Sequence, residues 1–417
     1  MSGRDSVIVV GAGHIGLACA RYLRQDGFDV TIIDRDEVGG ACSQANCGYI
    51  AACHILPLTT PGAFREGLLS LFKPRAAFRI RPQARPELLR WMFEFGRRCT
   101  HRRMLEAANV LHPLLEATTT EYHALFEDSR LSCDWQQEGM LFVFKGEKAL
   151  GEFADEDALL TREFGATAEY IRGADLPQFE PALIDGLAGG YYYEVDSHLR
   201  PDRLNASLAA VLQDDGVQLV EQCAVESIEK KGGEIIRLQT SKGEMSADRY
   251  VFATGAWSST LAADLECRIP VEPGKGYSVT MSRPEIMPTH PLLIPEKRIG
   301  VTPFESGLRI ASMMEFAGFD SSIPDFRIRQ LQDAARPYLK NPTGPTVEQT
   351  WYGWRPMTWD SLPIVGWVPS LGNALLATGH NMLGLTLAPV TGRIIADLVS
   401  ERASDLPVDA ISPARFL

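Results

Sequence analysis

The chain has 417 residues, of which 45% are hydrophobic and 23% charged, with a formal net charge of −12. This is an ordinary globular balance with enough mass for two domains, and the acidic excess argues against general nucleic-acid binding, which needs clustered Lys and Arg. The polar start and the four-residue apolar run Val7 to Val10 are too short for a signal-peptide core or a membrane span of about 20 residues. Eight cysteines are scattered without a CxxC pair, so neither a disulfide framework nor a zinc site is indicated and a reducing, cytoplasmic setting is expected. Cys42, Cys47 and Cys53 are the closest cluster, and their uneven spacing reads as small buried thiols.

Val7 to Val10 predicts a strand, Gly11 to Gly16 a glycine turn, and Ile15, Ala18, Cys19, Tyr22 and Leu23 the apolar stripe of a helix that Asp26-Gly27 stops. A second strand, Val30 to Ile33, ends at Asp34 and completes a parallel strand, helix, strand unit. From about Leu56, prolines punctuate short helical pieces, and Leu105, Ala108, Leu111 and Leu115 mark one face of a longer helix. Gly139 to Phe144, Gly190 to Val195, Tyr277 to Met281 and Leu308 to Ala311 read as strands of one further sheet. Val217 to Val220, Arg249 to Ala253 and Ala374 to Thr378 predict returns to the nucleotide-binding sheet, the last followed by a helix carrying Ile394, Ile395 and Leu398.

Gly11-Ala12-Gly13-His14-Ile15-Gly16 has GxGxxG spacing after a strand and at the start of a helix, the context a dinucleotide site requires. Gly11 permits the turn, Gly13 lets the backbone approach a pyrophosphate, and Gly16 allows close helix packing, with the helix N-terminus supplying N–H groups. Asp34 is placed to accept hydrogen bonds from ribose hydroxyls and would repel a 2′-phosphate, which disfavours NADP. The motif alone serves NAD and FAD equally. The run Gly39 to Gly48 is rich in residues that let a backbone lie against a ligand, with Ser43 and Asn46 as hydrogen-bond donors.

The glycine fingerprint, Ser43 with Asn46 and Gly48, the segment Ala253-Thr254-Gly255-Ala256-Trp257, and Gly353-Trp354-Arg355-Pro356 through Asp360, Pro363, Gly366, Thr378-Gly379-His380 and Gly384 together resemble the D-amino acid oxidase superfamily. The likeness covers nearly the whole chain and is strongest to the bacterial D-amino acid dehydrogenase branch, carried by Arg355-Pro356-Met357-Thr358-Trp359-Asp360 and Pro363-Ile364-Val365-Gly366. It implies non-covalent FAD, a two-domain fold and oxidation of a C–N bond beside a carboxylate. The cofactor contacts taken with it add Arg35, Ala224, Val225, Trp257, Gly353, Asn381, Met382, Leu383 and Thr386. Tyr49 to Pro57 departs from relatives that favour ordinary D-amino acids, so the side chain accepted stays open.

Arg355 is the expected anchor of the substrate carboxylate, because a guanidinium offers two parallel N–H donors; in related oxidases an arginine in this Arg-Pro context has that role. The segment Thr378 to Gly384 is expected to face the N1/C2 carbonyl end of the flavin. His380, His54 and Tyr277 complete the candidate catalytic set: His380 over the ring or in a local bond, His54 in the loop after Gly48, and Tyr277 closing the pocket or serving as an ordinary strand tyrosine. Trp351, Trp354, Trp359 and Trp367 suggest an aromatic wall or core packing. In the window Arg65 to Arg103, eleven Lys and Arg against three Glu leave a balance of +8, interleaved with Leu68, Leu69, Leu71, Phe72 and Phe78. That window reads as an anionic membrane contact where a quinone takes electrons, a solvated face, or a docking site for an acidic carrier.

The expected architecture is α/β: a discontinuous Rossmann-like FAD-binding domain (1–62, 196–270 and 346–417) and a substrate domain (63–195 and 271–345) built on a mixed or antiparallel sheet with helices. The expected reaction is hydride transfer from Cα of a D-amino acid, or of a cyclic imino acid such as hydroxyproline, to flavin N5, giving an imine, or a 2-oxo acid plus ammonia. The alternatives are an O2-using glycine- or sarcosine-type amine oxidase and a flavin-binding subunit of an electron-transfer complex. No metal is expected. The expected location is the cytoplasm or the inner face of the membrane.

Overall fold

The computed structural model describes residues 5–71, 73 and 75–417; Phe72 and Pro74 of the basic window lie outside the described residues. One layer is a six-stranded sheet ordered Ile364–Trp367, Ala374–Thr378, Arg249–Phe252, Ser6–Val10, Asp29–Ile33, Gln218–Val220. All neighbours are parallel except the first pair. Its central strands are near-continuous Val, Ile and Leu because helices cover them, which is what a parallel sheet demands. Helix His14–Gln25 packs on helix Ala388–Val399, and Gly392 lets the two approach: a Cβ there would lie 2.6 Å from the Ala18 carbonyl oxygen.

The second layer is a nine-stranded mixed sheet. Its strands run Val347–Thr358, Val271–Ser282, Gly307–Phe316, Ile299–Phe304, Leu292–Ile294, Met140–Phe144, Gly189–Tyr193 and Glu169–Arg172, with Phe78–Ile80 added beside Gly307–Phe316. The four strands expected there all belong to it. Val347–Thr358, which the sequence reading grouped with the nucleotide-binding segments, instead pairs along its length with Val271–Ser282. Residues 196–270 also hold a separate three-stranded sheet, Val225–Lys231, Glu234–Thr240 and Gly243–Met245.

A small antiparallel pair joins Tyr49–Ile50 to Ser197–His198, and His198 Nε2 donates to the Pro303 carbonyl of the second layer at 2.9 Å. Helix His101–Phe126 packs on helix Ala388–Val399 and buries Ala108, Leu111 and Leu115 in the core of the six-stranded layer. Among the described residues, no helix is long and apolar enough to cross a membrane.

Candidate active site

A cavity of about 660 Å³ runs between the layers, from the Gly11 turn and Asp34 at one end to His54 and Phe142 at the other, with Arg355 in its wall. The glycines shape its first end. A Cβ at Gly11, whose φ is +112°, would lie 2.5 Å from the Ala253 carbonyl oxygen, and one at Gly16 only 1.8 Å from that of Gly11. A Cβ at Gly13 would meet Ser43 Oγ at 2.9 Å. The turn therefore presents bare backbone at the N-terminus of helix His14–Gln25, the arrangement that receives a phosphate. Asp34 is aimed into the cavity by two backbone donors, the N–H of Ala12 to Oδ2 at 2.7 Å and that of Asp36 to Oδ1 at 2.9 Å. Arg35 lies over the Trp257 ring at 3.8 Å, a cation–π pair, and Ala224, Val225, Thr254 and Gly255 line the same end.

The middle of the cavity is bounded by residues of the loop 39–47 and by 380–386, while Gly379, packed against Thr358 and Ile364, does not line it. Ser43 Oγ accepts the His14 N–H at 3.1 Å, which leaves its own O–H available. Asn46 is committed to the loop: its amide donates to the Cys42 carbonyl at 3.2 Å and its Oδ1 accepts the Gly48 N–H at 2.9 Å. Gly48, at φ +77°, sits against the Leu199 carbonyl and does not line the cavity. Asn381 lines the cavity, yet its side chain staples Thr358: Oδ1 accepts the Thr358 N–H at 2.9 Å, and Nδ2 donates to the Gly379 carbonyl at 2.9 Å. Thr386 Oγ1 accepts the Ala51 N–H at 3.2 Å, tying the two loops together. Met382, Leu383 and Gly384 line the wall directly before helix Ala388–Val399. Ala12, Gly16 and Gly353 support the site from behind the wall.

Arg355 stands on the edge strand, partly buried, and donates from Nη1 to the Met313 carbonyl at 2.9 Å. It covers Gly276 of the neighbouring strand, where a Cβ would meet its Nη1 at 2.2 Å. The glycine is thus a space requirement of the guanidinium. Because side chains alternate along a strand, Gly276 facing Arg355 sends Tyr277 to the opposite face. Tyr277 is buried there, donating to Glu315 Oε2 at 2.7 Å, and the expectation that it closes the pocket is corrected. Ser312 and Met313 line the cavity at φ +123° and +60°, beside a bulge where the pairing with Val271–Ser282 shifts. Left-handed backbone at two non-glycine residues is costly and is held only where surroundings over-determine it. Here it turns the Met313 carbonyl onto Arg355.

Burial keeps the histidines neutral. His14 and His54 are pushed down to about 4 and His380 to about 3, each chiefly by desolvation. His54 lines the cavity with its ring 5.8 Å from that of Phe142, while His380 is bonded to Thr391 Oγ1 at 2.9 Å. The Cys42 and Cys47 thiols are raised by burial, partly opposed by Arg355. Of the four tryptophans at 351–367, Trp354 lines the cavity and packs with Trp257 and Phe319, whereas Trp359 is buried against Phe416 and Trp367 packs into the core. No single aromatic wall forms among the described residues.

Several positioning residues escaped the sequence reading because their partners are distant. Arg309, buried, donates to the Asn46 carbonyl at 3.0 Å, and Thr302 Oγ1 to the Cys47 carbonyl at 2.7 Å, fixing the loop from the large sheet. From the long helix, Tyr122 donates to the Leu385 carbonyl at 2.6 Å and Thr118 to that of Thr386 at 3.2 Å. Of the basic window, Arg79 and Arg81 turn onto buried Glu315 and Arg85 onto buried Glu272, so these charges serve the interior.

Residues 6–398 match the family described as DAO, FAD dependent oxidoreductase. The chain belongs to this family of FAD-dependent oxidoreductases. A relative named D-amino acid dehydrogenase from Vibrio atlanticus is 33% identical over 424 residues, covering 99% of this chain and 100% of its own. Among solved structures, glycine oxidase from Geobacillus kaustophilus is similar in fold, with TM-score 0.81 and 21% identity over all of both chains. L-Proline dehydrogenase from P. horikoshii gives 0.73 and 19%, covering 100% of this chain and 98% of that one. FAD is therefore the cofactor of this oxidoreductase, and the bare glycine turn, the oriented Asp34 carboxylate and the long interlayer cavity suit it.

Proposed function

We propose that the enzyme oxidises the Cα–N bond of a small amino acid, with a D-amino acid or a cyclic imino acid such as hydroxyproline as substrate. The observation that carries this is Arg355, a guanidinium in the cavity wall held by Met313 over Gly276. In this reading the ADP half of FAD lies along Gly11 to His14, Asp34, Arg35, Ala224, Val225, Thr254, Gly255 and Trp257, and the flavin along Ser43 and 379–386. When bound, FAD supplies the oxidising chemistry by accepting hydride from the substrate Cα.

The protein's own residues then orient and desolvate. Arg355 pairs with the substrate carboxylate through its remaining donors and fixes Cα in space. Phe142, Phe153 and Leu293 line the wall beside His54 and keep water from the reacting carbon,. Neutral His54 offers a hydrogen bond without adding charge, which suits a substrate whose amine reacts unprotonated. The resemblance to a D-amino acid dehydrogenase along the full chain supports this substrate class.

Anaerobic bleaching of the flavin band against a panel of D- and L-amino acids, including both hydroxyprolines, tests the reading. Bleaching by a D-amino acid or a cyclic imino acid is expected. Bleaching only by glycine or sarcosine, with hydrogen peroxide released in air, favours the oxidase alternative; a yellow protein that no amine bleaches overturns catalysis and leaves a flavin-binding subunit.

For the electron acceptor, the reading is a quinone reached at an anionic membrane surface. Helices Ala63–Ser70 and Pro86–Arg98, in contact through Phe64 against Gly96, expose Leu68, Leu69, Leu89 and Phe93 among exposed Arg65, Arg90 and Arg97. Apolar groups set among cations are the combination that anionic lipid favours.

A further inference from the structure

The pairing of Tyr49–Ile50 with Ser197–His198 brings the loop 51–54 against residue 196. Among the described residues, Cys53, His54 and Asp196 form the only group of three His, Cys, Asp or Glu whose ligand atoms all lie within 4.8 Å of one another. The Asp196 carboxylate accepts the Cys53 N–H at Oδ1, 3.1 Å, and its thiol at Oδ2, 2.8 Å; the sulfur lies 3.5 Å from His54 Nδ1. Cys53 and Asp196 are buried, and His54 lines the substrate end of the cavity. Thiol, imidazole and carboxylate converge from two separate segments, and the amine oxidation proposed above uses His54 of this cluster but neither Cys53 nor Asp196.

The geometry points to a binding site for a borderline-soft divalent cation, Zn²⁺ above all, at the wall of the substrate cavity. Zinc takes thiolate sulfur at about 2.3 Å, imidazole nitrogen at about 2.0–2.1 Å and carboxylate oxygen at about 2.0–2.2 Å in a tetrahedron. In that tetrahedron sulfur and nitrogen stand about 3.5 Å apart, and the observed separation of Cys53 Sγ and His54 Nδ1 is 3.5 Å. The thiol–carboxylate contact is a hydrogen bond; a cation replacing its proton, which leaves to solvent, opens it from 2.8 Å to about 3.5 Å. The three side chains leave a fourth position for water or a ligand, as in zinc sites that are not closed. Bound metal clamps the loop 51–54 and narrows the cavity at His54, so occupancy inhibits the enzyme and a chelator restores it.

The test uses the purified, flavin-loaded full chain dialysed against ZnCl2, with retained metal measured by mass spectrometry. About one equivalent is expected, with affinity lowered on the order of 100-fold in Cys53→Ser and in Asp196→Asn, and unchanged in Cys267→Ser, which alters a buried thiol elsewhere. X-ray absorption at the zinc edge of the unaltered protein is expected to show one sulfur neighbour among nitrogen or oxygen. It carries the test if a variant loses its flavin. No retained zinc, zinc without a sulfur neighbour, or binding indifferent to both variants overturns the site. The metal readouts are independent of the substrate proposed above, so the two proposals fail separately.

Discussion

Replacing Arg355 by Lys keeps the charge and removes the fork. In the native protein, Nη1 donates to the Met313 carbonyl, and the remaining N–H groups are the ones proposed to hold the substrate carboxylate side by side. A lysine ammonium reaching the same place is a point donor, and the carbonyl and the carboxylate compete for it. The loss is one charge-assisted hydrogen bond, about 1.5–3 kcal/mol, which converts to roughly 10–100-fold in kcat/KM. The carboxylate does not react, so the effect is expected mainly in KM, with kcat within a few-fold of native. Steady-state oxidation with an artificial acceptor measures both constants, and the flavin absorbance of the purified variant reports an intact fold. A flavin-loaded Arg355→Lys protein with native KM and kcat would refute the reasoning.

The two faces of strand Val271–Ser282 are expected to separate by mutation. Gly276→Ala displaces the Arg355 guanidinium and raises KM on the order of 10-fold or more, whereas Tyr277→Phe lowers stability by about 1.5–3 kcal/mol through lost bonding to Glu315 and leaves KM alone; the opposite pattern would reverse the face assignment. His198, buried and donating from Nε2 to the Pro303 carbonyl, is depressed to about 4. Its folded pKa lies below the unfolded value, so its contribution is present above about 6.5 and is lost as pH falls toward 4. Unfolding free energies from urea titration at pH 7 and pH 5 are expected to differ less in His198→Gln, by up to about 1.4 kcal/mol per pH unit; an identical drop would contradict the assignment. Leu69→Glu with Phe93→Glu is expected to abolish salt-sensitive pelleting with anionic vesicles while sparing activity with a soluble acceptor. Undiminished pelleting would remove the membrane reading.

The nucleotide-binding layer was legible because its signals are local. Apolar runs bounded by glycine turns placed Ser6–Val10, Asp29–Ile33 and Ala374–Thr378 to within a residue or two, and the second layer's strands showed in their aromatic and β-branched content. What stayed hidden depends on register and distance. The side on which Tyr277 emerges follows from Gly276 lying beneath Arg355. The inward turn of Arg85 depends on a partner 187 positions away. The bulge at Ser312 and Met313 carries no glycine to announce it, and the uneven spacing of Cys42, Cys47 and Cys53 says nothing of Asp196, 143 residues from Cys53.

Strand Val347–Thr358 acts as a beam: Arg355 projects from it, and three residues later Thr358 is clasped by Asn381 of the cavity-lining loop. The proposed grip on the substrate and the loop proposed to cradle the flavin are therefore fixed to one rigid member, and their spacing cannot be retuned separately. Diversification of such an enzyme has an easier course on the opposite wall, where Ala51, His54, Phe142, Phe153 and Leu293 contribute side chains from other elements. Exchange there resizes the space for a substrate side chain while leaving the reacting carbon where the beam holds it.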